Sequence, residues 1–117
     1  MAKPQNCIPV QEAKDMYENW QKSRGKDLKA EGYKDVNDFT FSLAEMQEFV
    51  EYVAEESSKA GILNPGIRIY FAATGQDTQS TASVFLAPTT GTNSNSGNNY
   101  NIEPLNRGTN GWPPNAY

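Results

Sequence analysis

The chain contains no histidine and a single cysteine, Cys7. Both absences hold whatever the fold. Without histidine there is no Ser-His-Asp or Cys-His pair, no imidazole metal ligand, and no general base of the commonest kind near neutral pH. One thiol makes no internal disulfide, CxxC redox pair or thiolate zinc site. The GxGxxG and GxxxxGK[ST] phosphate loops are missing too. The sequence therefore points to no catalytic residue, no metal and no cofactor.

Basic clusters are also lacking. Lys and Arg number 10 against 14 Asp and Glu, a net charge of -4. All of that excess lies in residues 1–60; beyond them Arg68 and Arg107 balance Asp77 and Glu103. Nothing resembles a phosphate-neutralising patch, so neither nucleic acid nor an anionic membrane is an expected partner. No apolar run approaches the roughly 18 residues of a membrane span, and the N-terminus has no signal-peptide pattern. With one cysteine, the expectation is a soluble, cytoplasmic protein. At 117 residues and 37% hydrophobic, the chain suits one domain with one core.

Within residues 1–117 the periodicity predicts two helices. In residues 8–24, Ala13, Met16, Tyr17 and Trp20 share one helical face, and Gly25 reads as the stop. Residues 26–37 are charged and weakly periodic and read as a loop, and Phe39–Phe41 alternates like a short edge strand. Residues 42–60 form the second helix, opened by a Ser42–Glu45 capping box and closed by Gly61. Its stripe is Leu43, Met46, Phe49, Val50, Val53 and Ala54; Glu48, Glu51, Glu55 and Glu56 solvate the other side.

A β-hairpin is expected over residues 67–87, with strands at 67–73 and 81–87, a loop at Thr74–Ser80 and a stop at Pro88. Neither strand has a polar face. Ile67, Ile69 and Phe71 share one side, Arg68, Tyr70 and Ala72 the other, so both sides need cover. The helices supply one cover. Past a flexible polar loop at 89–101, the tail at 102–117 brings Ile102, Leu105, Trp112 and Tyr117 for the other. The expected fold is α+β: two amphipathic helices packed on a small antiparallel sheet, with an irregular C-terminal tail covering the other face. A homodimer or a protein partner is the alternative cover.

The candidate site residues follow from charge on this hairpin. Arg68 lies on a strand fit for burial, where a guanidinium must find a partner or reach water. One reading makes Arg68 and Arg107 anchors for an anionic ligand, with Tyr70, Glu103 and Trp112 beside them. The other makes Arg68 a salt bridge to Glu103 that pins the tail. Asp77 and Glu103 are the only carboxylates in neutral surroundings, a weak acid–base pair. Nothing near Cys7 activates it.

The stretch from Asn64 to Phe71 (NPGIRIYF), followed by Val84 to Thr89 (VFLAPT) and a proline-rich end, resembles a set of small bacterial proteins with no assigned activity. The resemblance implies that hairpin and tail form one unit and carries no functional residue across. The leading expectation is a non-catalytic binding or protein-interaction module. The alternative is a small enzyme or ligand binder for an anionic or polar metabolite, using Arg68, Tyr70, Glu103 and Arg107. A third reading is an accessory subunit whose acidic half docks a basic partner.

Overall fold

The computed structural model describes residues 1–33, 36–106, 108–111 and 116–117. Its architecture is α+β, with helices against a small antiparallel sheet.

The first helix does not end at Gly25. Helix α1 (Val10–Trp20) passes through a π-helical turn at Gln21–Gly25 and continues as α2 (Lys26–Ala30). Part of the segment expected as a loop is therefore helical. Gly25 has ordinary helical angles, φ -63° and ψ -41°. A Cβ there would meet the Trp20 ring at 2.9 Å, so this glycine makes room for an indole instead of terminating a helix. The terminator is Gly32, at φ 84°. There Gly32 N–H donates to the Lys29 carbonyl and Tyr33 N–H to that of Leu28, a Schellman closure.

Helix α3 (Leu43–Lys59) forms as its sequence predicts. Ser42 Oγ accepts from Glu45 N–H at 3.0 Å, and Gly61 at φ 76° closes the other end. Its stripe sends Phe49 and Val53 into the core, while Leu43 and Val50 stay exposed.

Strands β2 (Gly66–Ala73) and β3 (Ala82–Thr89) make the expected hairpin, with Tyr70 opposite Phe85 and Ile69 opposite Leu86. Pro88 does not stop β3. Leu86 donates its N–H away from β2, to the Leu105 carbonyl at 2.8 Å. Pro88, two residues on, aims its ring nitrogen to that same side and costs the ladder no bond. Its carbonyl accepts from Asn99 N–H at 2.8 Å. Phe39–Thr40 (β1) is a strand, but it pairs with β4 (Thr109–Asn110) as a separate ribbon and leaves the hairpin edge alone.

Opposed residues share a face, so Ile67, Ile69 and Phe71 lie with Pro88, Leu86 and Val84. Helix α3 covers the β3 half of this face, with Phe49 and Val53 gathered on Leu86 and Ile102. The α1 helix buries no residue, and its last residue, Trp20, lines a cavity shared with the sheet. On the opposite face the polar loop provides the cover. Residues 89–101, flexible by composition, are folded back by Thr90 N–H to the Gly97 carbonyl (2.9 Å) and a bridge from Thr89 to Asn98. The tail then follows the open edge of β3, where Leu105 and Leu86 exchange both backbone bonds and Ile102 is 3% exposed.

Ile102 is thus a core residue contributed by the returning chain. Ile102→Ala is expected to cost about 2–5 kcal/mol in urea unfolding. A loss under about 0.5 kcal/mol, the usual surface value, would remove residues 102–105 from the core.

Candidate functional site

Arg68 has found partners, and Glu103 is not among them. Its Nη1 donates to Asn98 Oδ1 at 2.8 Å, and Nη2 reaches the carbonyls of Ser96 (2.9 Å), Ser94 (3.2 Å) and Asn93 (3.5 Å). The planar fork suits several carbonyls converging from one folded turn. Asn98 Nδ2 in turn donates to the Tyr70 hydroxyl at 2.8 Å. The Tyr70 ring stacks on Phe85, centroids 4.9 Å apart and planes 10° from parallel. Donation from Asn98, with Arg68 behind it, stabilises the phenolate and holds the Tyr70 hydroxyl below its usual ionisation range.

Of the candidate residues, the structure brings Tyr70 and Glu103 together. They line a cavity of about 390 Å³ beside Phe85 and Tyr100. Arg68 borders a different, shallower depression formed with Gly66, Thr89 and the turn at residues 91–94. Arg107 and Trp112 lie outside the described residues. Asp77 is not paired with Glu103. It sits at the hairpin tip, accepting from the N–H groups of Gln79 (3.0 Å) and Ser80 (2.9 Å) and from the Ser80 hydroxyl (3.0 Å). These donors hold its carboxyl below the usual range, as a turn-stabilising anion would be held. Glu103 follows the loop at the far end of β3, so no two-carboxylate site forms.

Two features escaped the sequence. One is the outer half of the helix-side face: Ile67, Ile69 and Phe71 are 38%, 62% and 93% exposed, and Leu63, three residues before the strand, is 98% exposed. The missing polar face was the right signal, but it marks a surface left open here. The other is an apolar cavity of about 420 Å³ between Trp20 and Leu28 on the helix and Phe71 and Val84 on the sheet. Reading Gly25 as a stop hid it, because Leu28 lies beyond.

Among the described residues no three Cys, Asp or Glu side chains gather as a metal site requires, and no helix is long and apolar enough to cross a membrane. Comparison of the chain with protein-family models, curated sequences and solved structures returned no match.

With both terminal nitrogens of its guanidinium bonded to the turn, Arg68 is a structural clamp. Arg68→Gln is expected to lose about 2–3 kcal/mol of stability and to open residues 93–98 to protease, with Arg68→Lys failing to rescue. Full stability of the lysine variant would show that the fork geometry is irrelevant.

Proposed function

We propose that the chain is a non-catalytic protein-interaction module that works by strand addition at β2, in its simplest form joining two copies of itself. The observation that carries this reading is the exposure pattern of β2, whose outward residues are apolar: Ile67, Ile69 and Phe71. Because Leu86 directs its N–H away from β2, the opposed Ile69 directs its own backbone groups away from β3, as do Ile67 and Phe71. The same three residues therefore offer both side chains and backbone bonds to a partner.

Among the described residues nothing guards this edge. Residues 66–73 contain no proline, lysine or carboxylate, and their one charge, Arg68, is turned to the other face and tied down. Two β2 strands related by a rotation axis at Ile69 place Ile67 opposite the partner's Phe71. No like charges then meet. With Leu63, the apolar surface available from both copies is on the order of 1,200 Å², the lower bound for a stable interface.

The rival ligand-binding reading through Arg68, Tyr70, Glu103 and Arg107 draws on the Tyr70–Glu103 cavity. It is weakened by the engagement of both terminal nitrogens of Arg68 in holding the turn. A reducing compartment, the bacterial cytoplasm, fits the lone exposed Cys7 and the sequence resemblance, and we assign the module there.

Sedimentation equilibrium tests the reading. The wild type should be dimeric at micromolar concentration, and Phe71→Asp monomeric with an unchanged melting temperature, since Phe71 supports little of the monomer. A wild type that stays monomeric to millimolar concentration would refute self-association.

A further inference from the structure

The cavity beside the N-terminal helix is assigned no role by the interaction surface, and its walls are chemically uneven. Trp20, Leu28, Val36, Phe39 and Val84 supply an apolar lining around about 420 Å³, a volume suited to a small organic molecule. Its construction is specific. The π-helical turn at Gln21–Gly25 carries Trp20, Arg24 and Leu28 to one wall, and Gly25 lets the indole lie flat against the helix. Such turns recur at functional sites, where they re-aim side chains.

Three polar side chains, Arg24, Asn37 and Ser83, interrupt the lining. Among the described residues Arg24 is the sole cation bordering the cavity, and no carboxylate there pairs with it. Asn37 also borders it, with both ends of its carboxamide shielded from water and lacking hydrogen-bond partners. An unpaired buried amide is costly, which favours any ligand able to meet it once the side chain turns. An exposed guanidinium at the mouth of an apolar cavity selects a negative head on a greasy body.

We infer that this cavity is a binding site for an apolar monocarboxylate, with the hydrocarbon between Trp20, Leu28 and Val84, the carboxylate on Arg24, and Asn37 donating to it. The site is distinct from the strand-addition edge and shares only Phe71 at the rim. No chemistry is performed on the ligand: among the described lining residues Ser83 carries the one hydroxyl, and its oxygen accepts from Asn106 Nδ2 at 3.1 Å with no base beside it in the lining.

Octanoate and octanamide, which share a chain and differ in charge, are the probes. In a Trp112→Phe background, Trp20 is the only indole, and its emission reports occupancy. Octanoate should quench it saturably, Arg24→Gln should weaken that binding about tenfold, and octanamide should bind weakly and ignore the substitution. Ala82→Phe, which fills the cavity from β3, should abolish quenching while leaving the molecular mass in solution unchanged. Absence of saturable quenching by octanoate overturns the site, as does equal binding of both probes with no response to Arg24→Gln. Because the readout is Trp20 emission, loss of this site and loss of self-association are separately visible.

Discussion

The arrangement of this small domain depends on one guanidinium. Arg68 leaves β2 on the face away from the helices and collects carbonyls from Asn93, Ser94 and Ser96 together with the Asn98 side chain. Those carbonyls belong to a stretch with almost no apolar residue, which has no hydrophobic reason to fold. Gathering them onto a fixed charge substitutes for a core. It also lays Asn98 on Tyr70 and sets the direction in which the chain leaves the loop. Ile102 then enters the cluster under α3, and Leu105 pairs with Leu86. A polar anchor on one face thus positions an apolar contact on the other.

Much of this was legible from residue order, and the rest was hidden for identifiable reasons. The capping box at Ser42, the stop at Gly61 and the hairpin are local signals, and local signals survived folding. Gly25 and Pro88 misled because each has two physical meanings. A glycine ends a helix by adopting positive φ or admits a bulky neighbour by lacking Cβ; only the Trp20 contact tells which. A proline breaks a strand only when its nitrogen faces the ladder, and at Pro88 it faces the returning chain. Arg68 was singled out correctly as needing a partner, yet backbone carbonyls leave no mark in a sequence. A carboxylate such as Glu103 does, and it drew the expectation.

The uncovered half of the sheet follows from the same geometry. Cover arrives along β3, from α3, from the tail and from the loop, because all three are tied to residues 82–105. Strand β2 receives the Arg68 clamp on one face and nothing along its outer edge among the described residues. Burying apolar area at about 25 cal/mol per Å² makes an open Ile69 and Phe71 a standing drive to associate. The N-terminal helix, which buries no residue of α1, faces the sheet across the apolar cavity that Trp20 and Leu28 line. Both features arise where cover is one-sided.

Native-state hydrogen exchange tests the central claim most directly, since it asks whether the loop and tail belong to the cooperative unit that the Arg68 clamp creates. The account predicts that the amides of Thr90, Asn99 and Leu105 open with the same free energy as the hairpin amides of Tyr70 and Phe85. Exchange of those three at unfolded-chain rates, with the hairpin still protected, would contradict it.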